Sequence, residues 1–229
     1  MRALLIVVLL LLGLAVIADR VAVGIAEDRV GQELASKGGL AGTPTVDIAG
    51  FPFLTQAVAG RYDDVRISLT ADELGQPEGT RADIALHGVH VPLSSVLSGS
   101  VTEVPVDRID GTATLSYALL SAQLGGDATV RREGDGLRIT RTVELLGQTF
   151  PLTAVGTVSL EAGQLVVDVQ KASGVGVDIP QFLVVQASNL LDLRHPVPTL
   201  PFGLQLTSVT PADDGVDIHV EAKDTVLAG

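Results

Sequence analysis

The chain opens on an unbroken apolar run from Ala3 to Ala18, preceded by Arg2 and closed by Asp19 and Arg20, which predicts a hydrophobic helix with a lightly positive start. Its 16 residues fall short of the roughly 20 that cross a bilayer comfortably. Val16-Ile17-Ala18 has the small-residue character of a signal-peptidase site, so residues 1–18 read either as a cleaved signal peptide or as an uncleaved signal anchor. Val23, Ala26, Val30 and Leu34 then recur at helical spacing between charged and polar residues, predicting an amphipathic helix over 19–37. Lys37-Gly38-Gly39 ends it, and a Gly-rich stretch containing Pro44 links it to a domain spanning 45–229.

From there the period is two. Val65, Ile67 and Leu69 alternate with Arg66, Ser68 and Thr70, and the same pattern returns at Leu165-Val167-Val169 and Val216-Ile218-Val220, each the mark of a half-buried strand. Ile84 and Leu86 share one phase while Val89 and Val91 take the other, which points to a bulge at Gly88. Glu133-Gly134-Asp135-Gly136 reads as a hairpin turn. Short helices are predicted after Pro92, around Tyr117, Leu120 and Leu124, and from Asp178 through Leu191. The fold class is therefore α+β: a curved antiparallel sheet with a few helices over its apolar face, preceded by the hydrophobic N-terminal helix.

Composition narrows the function. A net charge of -12 with pI ≈ 4.6 repels phosphate backbones, so nucleic acid is not an expected partner. The absence of cysteine removes disulfides, thiol nucleophiles and thiolate metal sites. No G-x-S-x-G elbow occurs. His87 and His90 lie three apart on a strand, where alternation turns them to opposite faces and a bulge repairs this only in part, so no metal is expected. Adjacent carboxylates such as Asp63-Asp64 and Asp213-Asp214 are expected in surface turns, not as a glycosidase pair. The reading is a non-enzyme without cofactor.

Gly50-Phe51-Pro52-Phe53-Leu54-Thr55-Gln56 with Gly60-Arg61-Tyr62-Asp63-Asp64-Val65, then Val89-His90-Val91-Pro92-Leu93, Val104-Pro105-Val106-Asp107-Arg108 and Gly111-Thr112-Ala113 in that order, resembles the actinobacterial LmeA-like family of phospholipid-binding cell-envelope proteins. The resemblance implies a tubular lipid-binding-like fold and a secreted or membrane-anchored location at the outer face of the cytoplasmic membrane. It also implies binding of a phosphatidylinositol-like phospholipid and a role in lipomannan-type envelope glycolipid assembly. It carries over no catalytic residue.

Placement on helices and Pro-rich loops that cover a sheet makes Phe51, Phe53, Leu54, Leu93, Val96, Tyr117, Leu120, Phe182 and Leu183 the expected lining or entrance of a lipid cavity. Arg141 falls in phase with Leu137, Ile139, Val143 and Leu145, so it is expected on an apolar face. There it must find a carboxylate, be re-aimed by a bulge, or receive a lipid phosphate together with Arg131, Arg132 and Arg138 of the same hairpin. The expected partners are a phospholipid and, through the N-terminal segment, the cytoplasmic membrane; protein partners are unspecified. The competing reading is a structural or interaction module of the cell envelope, in which the same Val and Leu residues fill an ordinary core.

Overall fold

In a computed structural model of the chain, the apolar run and the amphipathic segment form one continuous helix, α1 (Arg2–Gly38). The structure describes residues 2–98, 101–124, 128–145, 148–161, 164–174, 177–178, 194–196 and 200–228. The further helices are α2 (Phe53–Ala59), α3 (Ala71–Leu74), α4 (Leu93–Ser98) and α5 (Tyr117–Gln123). The first strands are β1 (Thr45–Ala49), β2 (Arg61–Leu69), β3 (Arg81–His90) and β4 (Glu103–Ser116). They are followed by β5 (Ala128–Glu133), β6 (Gly136–Leu145), β7 (Gln148–Glu161) and β8 (Gln164–Gly174). The last are β9 (Val177–Asp178), β10 (Arg194–Pro196), β11 (Gln205–Pro211) and β12 (Gly215–Ala228).

Among the described residues the protein is α+β with two antiparallel sheets that do not close. One has the order β1-β2-β3-β4-β12-β11, and the other the order β10-β8-β7-β6-β5 with β9 beside β8. The single curved sheet read from the sequence is thus two. Periodicity reports which strands are half-buried, but not which strands pair.

Two compact units divide the chain: Met1–Leu69, Asp83–Asp110 and Ala222–Gly229 in the first, Thr70–Ala82 and Gly111–Glu221 in the second. In the first unit the second half of α1 lies against β1 and α2. Its packed face runs through Asp19, Val23 and Gly31, all buried, while Val30 is exposed. This face is rotated from the one that hydrophobic periodicity selects. The reason is that β1 is an edge strand and α2 begins nearby, and both present backbone N–H groups without ladder partners. Glu27 Oε1 accepts the Ile48 N–H at 2.9 Å, and Asp19 Oδ1 accepts the Leu54 N–H at 2.8 Å. Gly31 allows the close approach, since a Cβ there would come within 2.9 Å of the Pro44 carbonyl oxygen.

β2 buries Val65, Ile67 and Leu69 and turns Arg66 outward, as its alternation predicts. On β3, Gly88 takes φ 63, and the buried positions change phase there from Leu86 to Val89. Asp63 and Asp64 lie within β2, not in a turn; Asp213 and Asp214 do occupy the connection between β11 and β12. His195 belongs to β10, opposite Leu165. The helix expected from Asp178 through Leu191 lies almost wholly outside the described residues, and Asp178 itself ends β9.

In the second unit, Val130 and Leu137 from the β5–β6 hairpin pack with Val209 and Val216, and Tyr117, Leu120, Ile139, Val158, Leu206 and Ile218 surround them. The hairpin turns at Gly134 and Asp135, with Glu133 opposite Gly136 and Gly134 at φ 60. That conformation suits glycine at the first central position of a two-residue turn. α5 is tied to the hairpin through Ser121, whose hydroxyl donates to the Tyr117 carbonyl at 2.7 Å and accepts the Val130 N–H at 2.9 Å.

Candidate functional site

In the second unit, backbone register defines an apolar strip across β6–β8. Across β6 and β7, Leu137 pairs with Gly156, Ile139 with Ala154, Arg141 with Leu152 and Val143 with Phe150. Across β7 and β8, Ala154 pairs with Ala172, Val158 with Val167 and Leu160 with Leu165. Directly opposed residues in antiparallel strands share a face. One alternation set of β6–β8 is therefore almost wholly aliphatic, while the other carries Arg138, Thr140, Thr142, Glu144, Thr153, Thr157, Ser159 and Glu161. A register shift beside Gly156 leaves Gln170 and Lys171 both exposed and returns Ala172 to the aliphatic set, so the apolar strip continues past the irregularity.

Among the described residues, cover lies over one end of this strip only. Leu137 is buried under α5, β11 and β12, Ile139 is half-buried, and Arg141 is exposed. The register of β6 is continuous from Gly136 to Leu145, so no bulge re-aims Arg141. It keeps the phase of Leu137 and Ile139 and is exposed, beyond the described residues that cover Leu137. The only other charge in this set on β5–β8, among the described residues, is Arg132.

The remaining hairpin arginines do not converge on Arg141. Arg132 pairs with Asp213 at 2.5 Å and donates to the Gly134 carbonyl at 3.0 Å. Arg138 pairs with Glu133 at 2.6 Å. Arg131 and Arg138 are cross-strand partners in the other alternation set, on the polar face.

The expected cavity residues fall in different units. Tyr117 and Leu120 cover the closed end of the strip in the second unit. Phe53, Leu54, Leu93 and Val96 belong to the first unit with Phe51: Phe53 is buried with its ring centroid 6.0 Å from that of Tyr62, Leu93 is half-buried, and Phe51, Leu54 and Val96 are exposed. Phe182 and Leu183 lie outside the described residues. The sequence reading missed the strip itself, although a signal was present: apolar residues at alternate positions of Phe150-Pro151-Leu152-Thr153-Ala154 and of Val158-Ser159-Leu160 continue the pattern of β6. It also missed α3, whose Thr70-x-x-Glu73 capping box is a readable start signal.

Burial raises the pKa of the Tyr117 hydroxyl, and Asp213, Asp217 and Asp214 add to this against the opposing charge of Arg132. The hydroxyl donates to the Ala212 carbonyl at 2.7 Å. Stability that depends on the protonated phenol is present below about pH 10, the ordinary tyrosine value, and is lost as the pH rises through the higher folded-state value. Tyr117→Phe is expected to cost about 1 kcal/mol at neutral pH and to remove this alkaline loss, which urea titrations at neutral and alkaline pH will read.

Two other features carry less. In the first unit, His90 Nε2 lies 3.0 Å from Asp107 and His87 Nε2 lies 3.2 Å from Asp110, so both rings meet carboxylates of β4. No group of three or more metal-ligating side chains occurs among the described residues. An open depression of ≈ 450 Å³ is lined by Thr70, Ala71, Asp72, Glu78, Gly79, Thr80 and Arg81; its charged rim is unsuited to an acyl chain.

No curated protein and no solved structure matches the chain. A family model described as LmeA-like phospholipid-binding matches residues 17–221. That match covers most of both units, and the chain belongs to the LmeA-like phospholipid-binding family.

Proposed function

We propose that the chain binds a phospholipid at the outer face of the cytoplasmic membrane, with acyl chain along the aliphatic strip of β6–β8 and phosphate at Arg141, and that α1 remains in the bilayer as its anchor. The observation that carries this reading is the register, which gathers the aliphatic residues of three strands into one strip with an exposed arginine beyond its covered part. An acyl chain in water is unfavourable by about 0.8 kcal/mol per methylene, so its carrier needs an unbroken apolar path. A guanidinium suits the phosphate because its planar fork of donors matches two oxygens at once. In this reading Tyr117 and Leu120 close the far end of the strip. A phosphatidylinositol-like head group, a part in lipomannan-type glycolipid assembly and a binding or transfer role without catalysis follow from the family resemblance and belong to the same proposal.

Retention of α1 is supported by its continuity. Asp19, the residue after Ala18, is buried within the helix and bonded to α2, whereas a peptidase needs an extended, accessible segment. The proposal is tested on protein extracted from membranes in mild detergent, by native mass spectrometry and lipid extraction. Near-stoichiometric phospholipid is expected, and a lipid-free chain would mean an ordinary packed core in an envelope module. Arg141→Gln is expected to reduce the preference for anionic over zwitterionic phospholipid by about tenfold, the worth of one charge-assisted contact of about 1.4 kcal/mol. An unchanged preference in the folded variant would move the phosphate site away from Arg141.

A further inference from the structure

We infer that α2 is a membrane-resting helix, and that Phe51, Leu54 and Val58 enter the interfacial layer of the leaflet from which α1 emerges. This rests on α1 lying in a bilayer, as proposed above, and goes beyond it by assigning a second membrane-contacting surface.

α2 buries Phe53 and Ala57. Its outward side carries Leu54 and Val58, one turn apart and 42% and 76% exposed, with Phe51 just before the helix at 63%. The helix, Phe-Leu-Thr-Gln-Ala-Val-Ala, has no charged residue. A helix facing water normally carries charge on its outer side, and one that sets apolar residues outward without charge suits the boundary between head groups and acyl chains.

The position of α2 along α1 identifies the occupant. Leu54 donates its N–H to Asp19, the first residue after the apolar run. Arg20 bonds Asp19 at 2.6 Å, and its guanidinium carbon lies 5.2 Å from the Phe51 ring centroid. Phe51 and Leu54 are therefore at the level where α1 leaves the hydrocarbon, and Arg20 beside them is placed to meet lipid phosphates. The apolar run adds to this. Its 16 residues extend about 24 Å at ~1.5 Å per residue, against a hydrocarbon core of about 30 Å. A short span is accommodated by thinning the bilayer and by drawing the group at its end toward the interface. The partner is thus the lipid surface around the chain's own anchor.

The absence of native cysteine allows single-site labelling of the full-length chain. Val58→Cys, Leu10→Cys and Lys37→Cys, each carrying an environment-sensitive fluorophore, are compared in phosphatidylcholine nanodiscs with nitroxide lipids labelled near the glycerol or near the methyl end. At Val58→Cys, blue-shifted emission is expected, quenched about twofold more by the shallow nitroxide than by the deep one, as for a helix lying in the interface. Leu10→Cys should show the opposite order, and Lys37→Cys, at the far end of α1, should show little quenching. Quenching at Leu10 with water-like emission at Val58 would overturn the inference and leave the anchor standing. A lack of quenching at Leu10 would remove the anchor and the inference together. Shielding of Val58 that grows with protein concentration and does not respond to nitroxide lipid would assign the patch to a second copy and overturn the inference as well.

Discussion

Ala154→Asp is expected to empty the protein of lipid, while Thr153→Asp, one residue earlier on the same strand, leaves it loaded. Ala154 stands between Ile139 and Ala172 in the aliphatic alternation set of β7, and Thr153 stands between Thr140 and Ser173 in the other set. A carboxylate in the strip must stay hydrated or become neutral, and either result denies the acyl chain the methylene contacts next to it. Losing two methylenes of contact at about 0.8 kcal/mol each already exceeds the ~1.4 kcal/mol that corresponds to tenfold in affinity. Bound phospholipid in Ala154→Asp should thus fall more than tenfold, measured by lipid extraction against protein amount. Both residues are half-buried, so the pair separates the face of the strand from the act of introducing charge. Equal loading of the two variants would show that the strip is not where the acyl chain lies.

The largest loss of stability is expected from Gly215→Val. A Cβ at this position would overlap the backbone carbonyl of Leu115 and crowd the Cα of Ser116, which is itself buried. Backbone within a sheet has little room to yield, and a branched side chain worsens the overlap. The expected cost is about 3 kcal/mol or more. For a chain of this size that corresponds to a fall in Tm of roughly 6–12 °C. Gly24→Ala is the contrasting substitution, because a Cβ there meets nothing within 4 Å and alanine favours helix by about 0.5–1 kcal/mol. Thermal denaturation followed by circular dichroism will compare them, and a Gly215→Val variant melting with the parent would contradict the overlap.

These expectations differ in how far they were readable beforehand. The α+β class, the apolar N-terminal helix, the β5–β6 turn and the alternation of β2 are legible in the sequence because each depends on residues within about ten positions of one another. Gly88 is legible for a related reason: the phase of the apolar residues changes across it, and glycine readily adopts the positive φ found there. The membership of α2 is harder to read. Its seven residues are too few for a helical period to show, and apolar residues such as Leu54 and Val58 stand on its exposed side as well as on its buried one.

The candidate site divides along the same line. The sequence by itself determined that Arg141 shares the phase of Leu137 and Ile139, since a strand's period of two is local. Only the tertiary structure decided that Arg141 reaches solvent, because exposure depends on where α5, β11 and β12 cease to cover the sheet. Likewise the sequence determined that a helix follows the apolar run, whereas the packed face of that helix was decided by distant backbone. Asp19 and Glu27 point inward to accept N–H groups of Leu54 and Ile48, and a polar residue turned inward for such a bond is indistinguishable, from its neighbours in the chain, from one facing water. The aliphatic strip is the extreme case. Each strand contributes only alternate residues to it, and their meaning as one surface comes from registers that join β6, β7 and β8, which hydrophobic period alone does not specify.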